Sequence, residues 1–311
     1  MHPKPHRFMS NQPLPTVLPP LIVGEVLFDH FPDGNRVLGG APFNVAWNLR
    51  GFGLSPAFFS AVGDDENGHA VRERMRDWRM SERGLQTVPE HPTGMVHIKH
   101  VDGRPQYSIE HPAAYDALQW PKFPVTADEF SLLYMGSLAW RGNQTRETMR
   151  RLVDRKDVPR FVDVNIRQPW FDRDWLPELF GDARWVKVSD EELQWLAGTE
   201  TELQEAQDVI DAVHQLQERY GGIEYFVTCG AFGSYWVAEN QVTFAPASPV
   251  EKIEDTVGAG DAFVAATLFG LLQGLPREVT LRAANQFAAR ICTLRGATTD
   301  DETFYQWPET G

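Results

Sequence analysis

Short runs rich in β-branched and aromatic residues alternate along this chain with segments of helical periodicity, and that alternation most narrows the folds open to it. Leu21–Phe28 is an apolar run of the kind buried inside a sheet, and Phe43–Gly53 behind it has helical character. Ala57–Val62 reads as the next strand and Gly68–Trp78 as a charged amphipathic helix. Ser131–Gly136, Phe161–Ile166, Trp185–Val188 and Tyr225–Thr228 repeat the strand signal, with helical patterns between them. Within Glu202–Arg219, Ala206, Val209, Ile210, Val213 and Leu216 share one helical face. Ala259–Gln273 and Arg277–Leu294 are the closing helices. Strands alternating with helices imply right-handed crossovers and a mostly parallel sheet covered on both faces, a Rossmann-like doubly wound α/β fold. A chain of 311 residues, 42% hydrophobic and 23% charged, can bury a core of that size without disulfides or metals.

One region departs from the alternation. In Thr93–Glu110, Met95, His97 and Lys99 alternate with Val96, Ile98 and His100, and Asp102-Gly103 separates Gly94–Val101 from Pro105–Glu110. That is a hairpin signature, and a hairpin is not a unit of a parallel doubly wound sheet. It reads as an excursion from the main sheet, either a lid over a site or a plain edge hairpin.

Composition removes several function classes. The formal charge is −14, from 29 basic and 43 acidic side chains, the wrong sign for a nucleic-acid binder. An anionic ligand would therefore need a local positive pocket. Two cysteines, Cys229 and Cys292, make neither a four-cysteine zinc site nor a disulfide framework, which suits a reducing cytoplasm. Residues 1–20 are proline-rich without an apolar core, and read as a disordered lead-in rather than a signal peptide. Residues 301–311 read as a C-terminal tail. Phe263–Leu275, the most apolar stretch, is too short and interrupted to span a membrane.

The chemistry concentrates in Glu254-Asp255-Thr256-Val257-Gly258-Ala259-Gly260-Asp261 and the apolar helix behind it. Small residues at Gly258, Ala259 and Gly260 let backbone N–H groups face outward at the positive end of that helix, forming an anion cradle. Asp261 follows at once, where the helix dipole favours a carboxylate. Neutralising amides beside a base are the parts a phosphoryl transfer to a hydroxyl requires. A glycine-rich helix cap is the alternative on this segment alone. The P-loop is excluded, because no lysine in the chain follows a glycine, and Pro56 breaks the dinucleotide fingerprint begun by Gly51-Phe52-Gly53. His97 and His100 would face opposite sides of a strand, which disfavours a histidine metal site. A second segment, Leu38-Gly39-Gly40-Ala41-Pro42-Phe43-Asn44, pairs glycines that admit a ligand with an amide suited to a sugar hydroxyl. Asn44 also fits a helix start. Asp29 offers two oxygens to adjacent hydroxyls.

Asp255–Asp261 resembles the C-terminal signature of the ribokinase family, the phosphofructokinase-B type of sugar kinases. Gly39–Asn44 resembles its N-terminal signature, and Val62-Gly63-Asp64-Asp65 and Val227-Thr228-Cys229-Gly230 with Gly233-Ser234 are similar to motifs between them. The resemblance covers roughly residues 21–298 and implies a ribokinase-like fold with a β-lid at about 30–38 and 93–112. It implies that Asp261 is the catalytic base, that Gly258, Ala259 and Gly260 form the anion hole, and that Asp29, Gly39, Gly40 and Asn44 hold the sugar. Thr228, Gly230 and Gly233 would border ATP, with Asn285 near the adenine. Magnesium accompanies the nucleotide in this family, and Asp255 and Thr256 match the loop of a monovalent cation, K+ in many members. In many members the lids pair across a homodimer. The family's Asn-x-x-Glu is here Ser189-Asp190-Glu191-Glu192, so Glu192 is either a magnesium neighbour or half of a helix-capping box. Lys187 is placed to add charge at the phosphates.

Two features lean toward fructose as acceptor. Asp163-x-Asn165-x-Arg167 resembles fructokinases, though also kinases of 2-keto-3-deoxygluconate, in which Arg167 would meet a carboxylate. Ala113-Ala114-Tyr115-Asp116, on the outgoing side of the hairpin, resembles the fructokinase pattern. A non-catalytic sugar or nucleotide sensor on the same fold is the rival class. Trp47, Trp170 and Trp236 read as packing residues that are also able to stack on a sugar or base.

Overall fold

The computed structural model describes residues 17–307, apart from 102–103, 200–202, 204 and 240. The lead-in up to residue 16, the Asp102-Gly103 turn and the expected helix start at Glu202 lie outside the described residues. Thirteen strands and eight α-helices are described. In chain order they open with β1 (Leu21–Val23), β2 (Leu27–His30), β3 (Arg36–Gly39), α1 (Ala41–Gly51), β4 (Ala57–Val62), α2 (Glu66–Asp77), β5 (Leu85–Thr87), β6 (Gly94–Val101) and β7 (Arg104–Ile109). Then come β8 (Leu133–Gly136), α3 (Asn143–Val153), β9 (Arg160–Asp163), α4 (Leu176–Phe180), β10 (Trp185–Ser189), α5 (Asp190–Ala197) and α6 (Ala206–Tyr220). The chain ends with β11 (Glu224–Thr228), β12 (Gly233–Ala238), β13 (Gln241–Pro246), α7 (Ala259–Leu272) and α8 (Arg277–Ile291).

The main sheet runs β13-β12-β11-β10-β9-β8-β1-β4-β5. It is parallel from β11 through to β5, and β12 and β13 close one edge as an antiparallel meander. Its side chains alternate between two cores as the pleat requires. Leu21, Val23, Leu133, Met135 and Val162 face the core shared with α3–α6, while Ile22, Tyr134 and Phe161 face α1, α2, α7 and α8. This is the doubly wound sheet expected. From β1 the strand order proceeds one way through β4 and β5 and the other way through β8, so the topological switch lies at β1 and β8. Ligands of such sheets bind outside the carboxyl ends of the strands at that point.

Leu21–Phe28 is not one strand. It splits at Gly24 into β1 of the main sheet and β2 of a second, four-stranded sheet ordered β3-β2-β6-β7. Gly24 has φ +147°, and a Cβ there would stand 2.5 Å from Pro42 Cγ, so the chain can turn off the main sheet only with glycine at this position. The hairpin β6–β7 joins this small sheet, with β6 parallel to β2. Part of the segment read as a tail is docked: Glu302–Tyr305 forms a 3-10 turn, and Tyr305 packs against Gly51, Phe52 and Trp78.

Candidate active site

At the carboxyl ends of the main sheet, two segments distant in sequence meet. Asn44 Nδ2 donates a 2.7 Å hydrogen bond to Asp261 Oδ2, across 217 residues of chain. Asn44 lies inside α1 and makes no capping bond, so the helix-start alternative for it is not what the structure shows. It is buried, and its Oδ1 has no partner among the described residues. Gly39 lies over the same spot: a Cβ there would be 3.6 Å from Asp29 Oδ2 and 3.9 Å from Asn44 Oδ1. Gly40, with φ +108°, brings its backbone so close to Glu25 that a Cβ would be 2.8 Å from the Glu25 carbonyl. Asp29, Gly39, Gly40, Asn44 and Asp261 therefore form one cluster.

The start of α7 is open. Its N-cap, Gly258, is left-handed at φ +79°, and a Cβ there would overlap Ala297, so glycine is required on both counts. No side chain caps the helix. Ala259 N–H turns back to the Thr256 carbonyl at 3.3 Å, and the ladder begins with Ala262 N–H on the Gly258 carbonyl at 2.8 Å. The amides of Gly260 and Asp261 lie between, on the first turn, where a helix binds anions. Lys187 completes this end. A Cβ on Gly260 would be 3.6 Å from Lys187 Nζ, so the ammonium stands directly over the glycine. Asp163 Oδ1, 3.3 Å away, holds the ammonium, and Tyr134 Oη donates to Asp163 Oδ2 at 3.2 Å. Burial works against the charge on Lys187, but the Asp163 and Glu192 carboxylates outweigh it and keep the lysine protonated.

Carboxyl groups in this region are pushed up by burial. Asp261 rises to about 6, against the opposing effect of the Asn44 hydrogen bond. Asp29 rises to about 6, with the Arg167 guanidinium pulling the other way. Glu25 rises to about 7 for the same reason. Arg167 is exposed, yet its charge acts on all three, which places it at the rim. Asn165 adopts φ +43°, a strained conformation for a non-glycine residue. Ser137 Oγ donates to the Val164 carbonyl just before it.

Other expected site residues fall into place differently. Glu192 Oε2 accepts from Ser189 N–H at 2.8 Å while Ser189 Oγ accepts from Glu192 N–H at 3.1 Å, the capping box that the spacing allowed. Glu192 Oε1 accepts from Ile166 N–H at 2.7 Å, so its carboxylate is spent mostly on backbone. Asp255 bridges two loops, accepting from Val257 N–H at 3.0 Å and Gly296 N–H at 3.2 Å, with Thr256 exposed beside it. Among the described residues no group of three or more His, Cys, Asp and Glu side chains is arranged to hold a metal. Thr228 ends β11 and Gly230 follows in the turn, and Gly233 packs on the Ala245 carbonyl too closely for any side chain.

A groove of about 600 Å³ is lined by the loop after β13, with Glu251, Lys252 and Glu254 among its residues, and by Gln286, Ala289 and Thr293. Asn285, expected near the adenine, is turned away from it. Its Oδ1 accepts from Ser234 Oγ at 3.0 Å and its Nδ2 donates to the Ala245 and Pro246 carbonyls, tying α8 to β12 and β13. The next residue, Gln286, faces the groove on the same face of α8 as Ala289, and Thr293 continues that lining just past the end of the helix. Trp47 is buried in a stack on Trp78, and Trp236 donates to Glu224, so both are packing residues. Trp170 instead stacks on His111 with Arg141 4.7 Å from its ring centre. Arg141 makes a buried bidentate pair with Asp116, at 2.8 and 2.9 Å.

Comparison with known proteins follows the same outline. The model of the pfkB family of carbohydrate kinases matches residues 24–303. A fructokinase of Klebsiella pneumoniae is 30% identical over 298 residues, 89% of this chain and 94% of that one. An aminoimidazole riboside kinase of Salmonella typhimurium is 28% identical over 299 residues, 89% of this chain and 90% of that one. Among solved structures, a fructokinase of Vibrio cholerae with fructose, ADP and calcium bound superposes with TM-score 0.75 at 25% identity, over 94% of this chain and 99% of that one.

Proposed function

Since the chain belongs to the pfkB family of carbohydrate kinases, ATP-using enzymes that phosphorylate an alcohol, we propose that it is a fructokinase in which Asp261 is the base. The observation that carries the reading is the bond between Asn44 and Asp261 beside the open start of α7. It puts a hydroxyl-binding amide, a proton acceptor and an anion-binding helix end at one point. A sugar hydroxyl held by Asp29, Gly39, Gly40 and Asn44 gives its proton to Asp261 as it attacks the γ-phosphorus. The open amides of Gly260 and Asp261 on the first turn of α7, where Gly258 and Ala259 shape the turn, and the Lys187 ammonium take up charge on the migrating phosphoryl group. Asn165 and Arg167 flank the acceptor.

ATP would lie along the groove from Thr228, Gly230 and Gly233 toward Gln286. Magnesium, when bound with the nucleotide, neutralises phosphate charge. Since magnesium keeps most of its waters, Glu192 with its remaining lone pairs is a sufficient neighbour. The bridged loops at Asp255 and Thr256 suit a monovalent cation such as K+. The small sheet is assigned as a lid that excludes water, and as the surface through which two copies would pair. Among the described residues no helix is long and apolar enough to cross a membrane.

Fructose is favoured over an anionic acceptor by charge. Arg141 is already neutralised by Asp116 in the bidentate pair, while Glu25, Asp29 and Asp261 make the acceptor side acidic. Arg167 supports a second reading, a kinase of keto-sugar acids, because its guanidinium is exposed at the rim and bonded only to the Ile166 carbonyl, at 3.2 Å, with no carboxylate paired to it among the described residues. ADP release over fructose, ribose, 2-keto-3-deoxygluconate, fructose 6-phosphate and aminoimidazole riboside separates these. Fructose ranking first supports the assignment, the keto acid ranking first replaces it, and sugar binding without ADP release would mark a sensor.

A further inference from the structure

Glu25 belongs to no motif singled out above, yet it stands at the topological switch. It follows β1 by two residues, at the point where the chain leaves the main sheet for the small one. Its side chain is buried, with 3% of the residue exposed, and its Oε2 has no hydrogen-bond partner among the described residues. The charges of Arg167, Asp261 and Arg141 all act on this carboxyl, so it belongs to the same buried neighbourhood as the proposed base and Arg141. Two further buried atoms without partners belong to the same neighbourhood, Tyr115 Oη and Arg141 Nη1. The Arg141 guanidinium is 5.0 Å from the Tyr115 ring centre, and Glu25 and Arg141 both act electrostatically on the Tyr115 hydroxyl.

Three separate segments thus bring an unpartnered acceptor, an unpartnered donor and a hydroxyl that is both into one buried neighbourhood. Polar atoms in such surroundings are costly to leave unsatisfied, and native cores rarely tolerate three together. Their mixture matches a polyol, whose hydroxyls donate and accept.

We propose that Glu25, with Tyr115 and Arg141, forms a second wall of the acceptor site that reads sugar hydroxyls remote from the one phosphorylated. This makes Glu25 a specificity-determining residue, and it rests on the sugar-kinase reading above. The test compares D-fructose, or the best acceptor of the panel, with its monodeoxy analogues in wild type, Glu25→Ala and Glu25→Gln. In wild type at least one analogue should lose about tenfold or more in kcat/KM. In Glu25→Ala that penalty should disappear, because the hydroxyl has lost its partner, while KM for ATP stays within about twofold. Glu25→Gln keeps the shape and one acceptor oxygen, and should show an intermediate penalty even if the alanine variant folds poorly. The same penalties in both variants as in wild type, or equal rises in both KM values, would overturn the proposal. A wild type that releases ADP with no sugar would instead remove the kinase reading itself.

Discussion

Replacing Asp261 with asparagine is expected to strengthen the fold at pH 8 while abolishing turnover. In the unfolded chain the carboxyl keeps its ordinary value of 3.8, whereas in the folded protein burial pushes it up to about 6. The folded state therefore binds the proton more tightly than the unfolded one. Its relative stability from this group is fully present below about 3.8, declines as pH rises, and is lost once pH passes about 6. The gap between the two values corresponds to about 3 kcal/mol forfeited at pH 8, an upper bound because the carboxyl keeps some contact with solvent. An amide has no charge to bury, and it retains an oxygen to accept the 2.7 Å bond from Asn44 Nδ2. It also brings donors toward the otherwise unpartnered Asn44 Oδ1. Allowing half to all of the bound, Asp261→Asn should gain about 1.5–3 kcal/mol at pH 8, or about 3–6 °C in Tm at about 2 °C per kcal/mol. Thermal unfolding followed by fluorescence from pH 4 to 8 measures this, with ADP release as the companion assay. The gain should be small at pH 4, grow through pH 6 and level off above 7, while kcat falls at least about 10²-fold. A variant no more stable than wild type at pH 8, or equally advantaged at pH 4 and 8, would refute the claim that this carboxylate is held charged against its surroundings.

Because Asp261 and Asp29 both rise to about 6, kcat/KM should fall on the acid side below about pH 6, more steeply than one proton allows. A single-proton limb near pH 4 would contradict the burial of both. Gly39→Ala should fold normally, since its added Cβ makes only ordinary contacts, yet raise KM for sugar about tenfold by intruding between Asp29 and Asn44. Gly40→Ala should instead lower Tm, because φ +108° and the 2.8 Å approach to the Glu25 carbonyl both exclude a side chain; purified variants read by melting and steady-state kinetics separate the two. Asn285→Ala should cost about 2–3 kcal/mol of stability through its lost bonds to Ser234, Ala245 and Pro246, with KM for ATP little changed, whereas Gln286→Ala should do the reverse.

What could be read from the sequence and what could not divide along a physical line. The α7 start was legible because everything it needs is adjacent: a left-handed glycine, small residues, a carboxylate and an apolar helix occupy consecutive positions, and helix geometry converts that order directly into an anion site. The two-core sheet was legible for a similar reason, since strand and helix periods are local. The break at Gly24 was not, because Leu21–Phe28 has the composition of a single strand, and only the closeness of Pro42, from another element, forces the turn. Asn285 and Gln286 are neighbours in sequence, and the rotation of α8 against β12 and β13 decides which one meets the groove. Glu25, Tyr115 and Arg141 are the extreme case. They come from the exit of β1, the segment after β7 and the segment before α3, and each alone resembles an ordinary buried polar residue. Backbone-built parts of the site are therefore written in contiguous sequence, while side-chain walls exist only after distant elements converge. Reaction type depends on the first and choice of acceptor on the second, so a chain of this kind declares its chemistry more openly than its substrate.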